Sequence, residues 1–468
     1  MEDIAQYALD LCKEAEYADI RIEDIKETSF LLKNSVPEIA TFDRVKGMGL
    51  RLVVNGSMGF VSTNNLERQN IKKVVTQALK IAKASERLVQ TPVKFSEENI
   101  NIANYSVKQK ENPEDTSTED KLQMVIDIDK SLLQCGIPTL NRHISFNHKF
   151  TEQIFQSSEG SKIISKIPRV HAFWFVSVGD AQQSKQKYFA YDATTGFEIL
   201  KKWNIADDAV AMTKELYENL KKGKKTPSGD IDVICGPEVT GIITHESIGH
   251  PNEADRILCR ESAQAGESFV TPEMLGKPYA SDIVNVSEDP TIPGSAGYYQ
   301  YDAEGVKARK RLMVKNGILN EFLHNRETAV ELGLKSNASA RASGFHREPI
   351  VRMANTFVEP GDYSFDELIE DTKKAIYIKN FMEWNIDDKR YNQKYVGAGS
   401  YYVENGEIMY PIQNPVLEIT TPTFWNAIDA IAKDMELHAA TCGKGEPSQG
   451  VPVYHGGPSI RLKNIKIR

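Results

Sequence analysis

The segment His245-Glu246-Ser247-Ile248-Gly249-His250 contains the residue types of a catalytic metal site. Neutral imidazoles bind zinc readily, and a carboxylate beside the first ligand can reach a zinc-activated water without ligating the ion. Such a carboxylate acts as a general base, because zinc makes water a nucleophile at neutral pH. The segment therefore predicts a zinc site with His245 and His250 as ligands and Glu246 as the base. The alternative is two histidines at a helix end that make ordinary hydrogen bonds.

The spacing of five residues between the two histidines is unusual. The common metalloprotease motif places them four residues apart, on one face of a helix. At 3.6 residues per turn, a spacing of five leaves the side chains roughly 140° apart, too far to share one ion. Gly249 readily ends a helix, and a residue that precedes a proline, here Pro251, avoids the α region. We therefore expect the regular helix to end at or just before His250, or a π-bulge to separate the histidines.

A third ligand must come from elsewhere in the chain. The candidates are the remaining histidines, the carboxylates of Glu253 and Asp255, and the cysteines. Cys442 ranks first, because the glycines after it predict a turn that exposes its thiol. We predict a helix over residues 424–438 before this turn, which puts His438 at a helix end, where the dipole favours a cation.

The elements that must position these residues are a mixture of helices and strands. A buried strand is expected over residues 230–235, and Pro237 favours the start of the motif helix. Residues 222–229 are charged, contain glycine and are broken by proline, which is the best boundary signal in the chain. The sequence predicts an α+β fold, with an N-terminal α/β domain over residues 1–225 and a β-rich domain over 226–468 that carries the motif helix.

Further elements are predicted from periodicity and from Asn-Gly pairs. Apolar residues at helical spacing indicate helices near residues 65–85, 119–133 and 206–221. Asn-Gly pairs between apolar runs favour tight hairpin turns. These pairs are Asn55-Gly56, Asn316-Gly317 and Asn405-Gly406.

Composition excludes several classes of protein. The chain has 468 residues, 40% of them hydrophobic and 26% charged, so a large core can form. The net charge of −8 argues against a nucleic-acid or anionic-membrane partner, since both prefer a basic face. We find no apolar run long enough for a spanning helix. The five cysteines are scattered without framework spacing, which predicts a protein of the reducing cytoplasm.

Several short elements accompany the histidine motif. They are Glu253 with Asp255, Asp302-Ala303-Glu304-Gly305, Arg352-Met353-Ala354-Asn355, Cys442-Gly443-Lys444, Val451-Pro452-Val453 and Pro458-Ser459-Ile460-Arg461. Together with the motif they resemble the TldD/PmbA family of bacterial and archaeal metallopeptidases, over nearly the whole chain. The PmbA branch lacks the histidine motif, so the chain resembles the TldD branch. It departs from the family pattern at Pro251, a usual glycine, at Ala303, a usual aspartate, and at His455, a usual small or apolar residue.

The resemblance implies a metal held by His245, His250 and Cys442, with Glu246 as the catalytic carboxylate. It also implies a dimer, either a homodimer or a heterodimer with a PmbA-type subunit. Further candidates would bind substrate or orient a ligand, with structural or solvated roles as the alternatives. They are Glu253, Asp255, Asp302, Glu304, Arg352 and Asn355.

The predicted function is a zinc-dependent peptidase with one Zn²⁺ per chain. Glu246 takes a proton from the metal-activated water, and the substrates are short or unfolded peptides, without nucleic-acid or membrane partners. One alternative is a metal-dependent amidohydrolase that acts on small molecules, for which a small closed pocket would be typical. Another is a metal-stabilised binding subunit without turnover, for which a closed shell of four ligands would be typical.

Overall fold

We analysed a computed structural model of the full chain, which describes residues 1–261 and 266–467. The α-helices of this part of the chain are α1 Glu2–Asp10, α2 Arg68–Ser85, α3 Thr118–Gln134, α4 Ile205–Lys222, α5 Pro237–Thr244, α6 Ala254–Ile257, α7 Arg326–Glu331, α8 Phe365–Glu370 and α9 Thr421–Asn426. Helices α2, α3 and α4 confirm the helices predicted from apolar spacing. None of the helices within the described ranges has both the length and the apolar composition needed to span a membrane.

The first half of the chain forms one large, mainly antiparallel sheet with helices packed against it. Its strands run in the order β3-β2-β1-β5-β6-β4, and β7 also pairs with β6. Apolar residues of α1 and α2 pack on β1 and β2, while those of α3 and α4 pack on β5 and β6. The strands are β1 Tyr17–Lys33, β2 Val36–Val54, β3 Ser57–Thr63, β4 Ile102–Ser106, β5 Thr139–Ser157, β6 Lys162–Gly179 and β7 Ser184–Ala193.

The second half is richer in strands, which are shorter. They are β8 Lys224–Lys225, β9 Gly229–Cys235, β10 Val286–Glu288, β11 Arg311–Lys315, β12 Ile318–Leu319, β13 Ala340–Arg341, β14 Ile350–Val351, β15 Asn355–Val358, β16 Lys374–Ile378, β17 Phe381–Ile386, β18 Asn392–Gly397, β19 Ser400–Glu404, β20 Glu407–Gln413, β21 Val416–Thr420, β22 Ile428–Ile431, β23 Glu436–Lys444, β24 Gln449–Gly457 and β25 Ile460–Ile467. The predicted α+β fold is confirmed, whereas the division at residues 225/226 stays a prediction.

Two larger sheets of the second half enclose the motif helix α5. One has the order β22-β25-β9-β16-β19-β20-β8, and the other β12-β11-β10-β15-β24-β23. Helix α5 follows β9, begins with Pro237 in its first turn, and is buried at every residue. It packs against β15, β23 and β24. Close packing requires Gly241, because a Cβ there would lie 2.6 Å from Nδ1 of His455 and 2.9 Å from the backbone of Gly456.

The three predicted Asn-Gly hairpins are confirmed. Asn55-Gly56 joins β2 to β3, Asn316-Gly317 joins β11 to β12, and Asn405-Gly406 joins β19 to β20. All six residues have positive φ, between 49° and 81°, as the tight turn requires.

The helix predicted over residues 424–438 is wrong. Helix α9 ends at Asn426, and the chain continues as β22 and β23, which pair with β25 and β24. A short apolar run is compatible with a helix or a strand, and pairing with neighbouring strands decided between them. His438 therefore lies within a strand rather than at a helix end, and Cys442 lies on β23 rather than in a turn.

Candidate metal centre

The two motif histidines lie on one face of an irregular helix. Helix α5 ends at Thr244, a π-helical turn covers His245–Gly249, and a 3-10 turn covers His250–Asn252. The backbone N–H of His250 donates to the carbonyl of His245, which is the i→i+5 bond of a π-helix. Residues five apart therefore lie on the same face, and the two imidazole rings meet edge to face, with centroids 4.9 Å apart and an angle of 82° between their planes. The expected departure from a regular α-helix is confirmed.

Cys442 on β23 completes a group of three buried donor atoms. One ligand atom from each of His245, His250 and Cys442 lies within 4.8 Å of the other two. The thiol Sγ of Cys442 is 3.4 Å from Nε2 of His250. Because Nδ1 of His250 bonds Glu253 at 2.9 Å, Nε2 is the nitrogen that faces the ligand group. In His245, Nδ1 is buried without a hydrogen-bond partner.

The protonation states of these donors suit a metal ion. Burial lowers the pKa of both His245 and His250, which favours neutral imidazoles. Burial by itself would raise the pKa of the Cys442 thiol, but His250 and Arg352 nearby lower it to about 7. Two imidazoles and a thiolate are ligands that zinc accepts, and three protein ligands leave a position open for catalysis. The donor set therefore fits a zinc ion.

Glu246 is buried beside this group and contacts a residue that the sequence did not indicate. Its Oε2 accepts a hydrogen bond from Nη1 of Arg390 at 2.7 Å. Arg390 lies in the turn between β17 and β18, 144 residues from Glu246. No sequence pattern points to it, since Asp387-Asp388-Lys389-Arg390 reads as an ordinary charged turn.

Glu253 orients His250 by a hydrogen bond to Nδ1, the ring nitrogen that faces away from Cys442. It accepts hydrogen bonds from Nε of Arg256 at 2.9 Å and lies 3.1 Å from Nζ of Lys444. Burial would raise the pKa of Glu253, but Lys444 and His250 hold it well below its usual value, so the residue is a carboxylate. Asp255 is connected to His250 less directly, through Lys444 and Glu253. Its two carboxylate oxygens accept hydrogen bonds from Nζ of Lys444 at 2.7 and 2.8 Å. A carboxylate on the far nitrogen fixes the tautomer and orientation of a ligating imidazole.

The donor group opens into a pocket of about 350 Å³. Besides His245 and His250, His171, His438 and His455 line it, so five of the nine histidines of the chain meet here. His438 and His455 face each other across β23 and β24, and Nδ1 of each is buried without a partner. A second cavity of about 450 Å³ shares the lining residues His171 and Thr441 with the first, so the two cavities adjoin each other.

Residues 228–468 match the sequence profile of the PmbA/TldA metallopeptidase C-terminal domain, and residues 18–82 match that of PmbA/TldA metallopeptidase domain 1. The chain belongs to the PmbA/TldD family of metallopeptidases. A metalloprotease of Methanocaldococcus jannaschii is 33% identical over 96% of this chain and 97% of its own length. A zinc metalloprotease TldD homolog of Saccharolobus solfataricus is 28% identical over 97% of this chain and 96% of its own length.

Two solved structures share the fold of this chain. TldE from Thermococcus kodakarensis has a TM-score of 0.74 at 14% identity and covers 100% of this chain and 99% of its own. A protein of Thermotoga maritima described as a candidate modulator of a DNA gyrase has a TM-score of 0.79 at 17% identity and covers 100% of both chains.

The Arg352–Asn355 element contributes two residues that support the candidate metal site indirectly, through the residues they bond. Arg352 donates to the carbonyl of Cys442 and, at 2.7 Å, to that of Gln449, so it holds the strands that carry the thiol. Asn355 accepts from the backbone N–H of Gly297 at 3.1 Å and donates to the carbonyl of Asp289 at 2.6 Å. Both residues are fully buried, and neither lines the pocket.

The Asp302–Glu304 element also lies outside the pocket. Asp302 accepts three backbone hydrogen bonds of 2.9 to 3.1 Å, from Glu304, Val306 and Ala340. Glu304 accepts from Nη1 of Arg51 at 2.8 Å, which links the two halves of the chain. The structure thus brings together His245, Glu246, His250, Cys442 and Glu253, and it does not bring Asp302, Glu304 or Asn355 to them.

Proposed function

We propose that this protein is a zinc-dependent peptidase of the TldD branch, with one Zn²⁺ per chain held by His245, His250 and Cys442. The observation that carries the proposal is the convergence of these three donors within 4.8 Å at the wall of a pocket that Glu246 also lines. The names of the similar proteins, metalloprotease and zinc metalloprotease, support it.

When bound, zinc supplies Lewis-acid polarisation of the scissile carbonyl and activates a water. Glu246 accepts the proton of that water and passes it to the amine nitrogen of the leaving peptide. Glu253 keeps the His250 ring in one tautomer and one orientation. The burial of Glu246 and of the three donors excludes bulk water, which strengthens each electrostatic interaction in the site.

The position of β23 favours an extended peptide as the substrate. This strand carries Cys442, lines the pocket and is the last strand of its six-stranded sheet. An edge strand presents backbone groups that pair with an extended chain, largely independently of its sequence. Folded proteins pair their backbones internally, so short or unfolded peptides are the proposed substrates. The adjoining cavity of about 450 Å³ offers room for the rest of the peptide, which argues against an amidohydrolase with a small closed pocket.

The proposed assembly is a homodimer or a heterodimer with a PmbA-type subunit. The similarity in fold to TldE, which extends over essentially the full length of both chains, supports this proposal. A binding subunit without turnover is the remaining alternative. The buried carboxylate of Glu246 argues against it, since a structural site needs ligands but no base.

The test is a Glu246→Gln variant, compared with wild type and with the exposed control Glu114→Gln. We expect Glu246→Gln to retain zinc and to lose hydrolysis of an unfolded protein by roughly 10²- to 10⁴-fold, the usual contribution of a general base. His245→Ala should lose both zinc and activity, and a chelator should inactivate the wild type.

The outcomes separate the alternatives. A zinc-free Glu246→Gln protein would mean that Glu246 is a ligand rather than the base. Zinc binding by the wild type without hydrolysis of any peptide would favour the binding subunit. Equal cleavage of one protein supplied folded and unfolded would reject the extended-peptide substrate.

A further inference from the structure

Arg390 is the one arginine or lysine among the described residues that line the metal pocket. The other lining residues are mostly histidines, aromatic residues and the strand β23. Its side chain is 11% exposed, so most of the guanidinium is removed from water. A buried cation at the wall of a substrate pocket is costly without an anionic partner, and its present partner is Glu246, the proposed base.

The backbone around Arg390 holds this cation in place. Arg390 has a φ of +64°, which a residue other than glycine adopts only where its surroundings require it. Its N–H donates to the carbonyl of Asp387 at 3.0 Å, and its carbonyl accepts from Oγ1 of Thr421 at 2.7 Å. Asp387 also accepts from the backbone of Tyr391 at 2.8 Å. The turn is therefore built to present the guanidinium to the pocket.

Most hydrogen-bonding capacity of this guanidinium is unused. An arginine has five N–H donors in a planar fork. Within the described residues, the bond of Nη1 to Glu246 is the one that the side chain makes, and Nε is buried without a partner. Arg311, a fully buried arginine away from the pocket, also leaves Nε without a partner, but both of its terminal nitrogens are bonded, to Glu288 and to the carbonyls of Asn337 and Ala338. Arg390 thus has donors available for a ligand.

The second carboxylate of the pocket does not compete for Arg390. Glu238, in the first turn of α5, already pairs with Nζ of Lys187, which is 1% exposed and also bonds the carbonyl of Phe381 at 3.0 Å. The charges of Glu238 and Lys187 offset each other. An anionic group that enters the pocket therefore meets Arg390 as its cationic partner, and the guanidinium fork matches a carboxylate.

We propose that Arg390 binds a carboxylate of the substrate, so that the enzyme prefers peptides with a carboxylate next to the cleaved bond. The pocket at the metal site holds only about 350 Å³, which suits the short end of a peptide and makes its C-terminal carboxylate the first source to test. An aspartate or glutamate side chain is the second source. The inference rests on the proposed peptidase function, and the carboxylate draws Arg390 away from Glu246, whose Oε2 then becomes available to water.

The first experiment measures binding without turnover. Zinc-loaded Glu246→Gln protein is titrated by calorimetry with one peptide in three forms: a C-terminal acid, a C-terminal amide, and an amide with glutamate as the last residue. We expect the acid to bind roughly 10- to 100-fold more tightly than the plain amide, as for a charged hydrogen-bonded pair. Adding Arg390→Gln should abolish the difference. Adding Lys389→Gln, which removes a 64% exposed charge from the same turn, should leave it unchanged.

The peptide that ends in glutamate and carries a C-terminal amide identifies the source of the carboxylate. Tight binding of this peptide in an Arg390-dependent manner would assign the site to acidic side chains, and tight binding of the acid alone would assign it to the C-terminus. Equal binding of all three peptides would overturn the proposal. The same holds if a preference for the acid survives in Arg390→Gln.

Kinetics of otherwise wild-type protein provide a second readout. We expect kcat/KM to be roughly tenfold higher for the acid than for the amide. Arg390→Lys should keep a smaller preference, because an ammonium lacks the bidentate fork. Zinc content of each variant checks that the site is intact. Equal rates on both peptides would reject the role of Arg390 and leave the peptidase proposal standing, whereas no hydrolysis of either would reject the peptidase itself.

Discussion

Two buried clusters of charged residues in this protein differ in how completely their hydrogen bonds are made. In the metal pocket, Nδ1 of His245, Nε of Arg390 and Nδ1 of His455 are buried without partners. In the cluster of Asp19, Arg51, Glu304 and Arg326, which joins the two halves of the chain, the charged groups find one another. Arg51 donates to Asp19 at 3.0 Å and to Glu304 at 2.8 Å, and the N–H of Arg326 donates to Glu304 at 2.7 Å.

The difference separates a ligand site from a structural one. Buried polar atoms in folded proteins nearly always have partners, and each exception requires a specific reason. Nδ1 of His245 belongs to a proposed zinc ligand and Nε of Arg390 to the partner of Glu246, so a bound ion and substrate would account for these two atoms, whereas Nδ1 of His455 packs against Gly241 of α5. The Arg51 cluster needs no ligand, because its own residues satisfy it. Burial and charge alone would have placed both clusters in one class.

The largest expected effect of a single change at the pocket is that of Cys442→Ala. Removing the thiol should weaken zinc binding by more than about 100-fold, since even the loss of a residue that only orients a ligand costs roughly 10- to 100-fold. Metal analysis and peptide hydrolysis measure the effect, with the exposed Cys259→Ser as the matched control. Mild peroxide should inactivate wild type and Cys259→Ser alike. Full zinc retention by Cys442→Ala would remove this residue from the proposed ligand set.

In the Arg51 cluster, Arg51→Met should lower the free energy of unfolding by about 3–5 kcal/mol. The reason is that it leaves the buried carboxylates of Asp19 and Glu304 without their cationic partner. Denaturant titration measures this. Lys26→Met, which breaks the exposed pair with Glu114, should cost less than about 1 kcal/mol. Zinc content should not change in either variant. Loss of zinc in Arg51→Met would show that the two clusters are not independent.

Glu253→Gln should have the smallest effect of the three, and it tests a residue that contacts the metal pocket only through His250. The amide still accepts a hydrogen bond but no longer balances Lys444, so we expect zinc affinity to fall roughly 10- to 100-fold with hydrolysis retained at saturating zinc. Competition with a chelator measures the affinity. Unchanged affinity would show that Glu253 does not orient His250 for zinc binding.

The sequence predicted those features of the site whose residues lie close together along the chain. His245, Glu246 and His250 form one short segment, and their spacing of five already required an irregular helix. The three Asn-Gly hairpins were predicted for a similar reason, because a tight turn depends on the two residues that form it. Cys442 is 192 residues from His250, and local pattern could only rank it first among the possible third ligands.

Other features of the site depend on strand pairing. The residues after Asn426 were predicted as a helix, and their pairing with β24 and β25 made them strands. That pairing puts His438 opposite His455 and Cys442 at a sheet edge. The acidic element Asp302–Glu304 reads as a site motif in the sequence, whereas its side chains bond backbone N–H groups and Arg51 in the fold.

By itself, the sequence predicted the class of chemistry, and it determined the α+β architecture and the departure from a regular helix between the two histidines. These depend on residue types and on spacings within a few turns of chain, where geometry is nearly independent of the rest of the fold. Only the tertiary structure decided that Arg390 contacts Glu246 and that Cys442 lies on an edge strand in the pocket. It also decided which buried polar atoms remain without hydrogen-bond partners. Such contacts join residues far apart in the chain, and they form only when sheets and helices pack together.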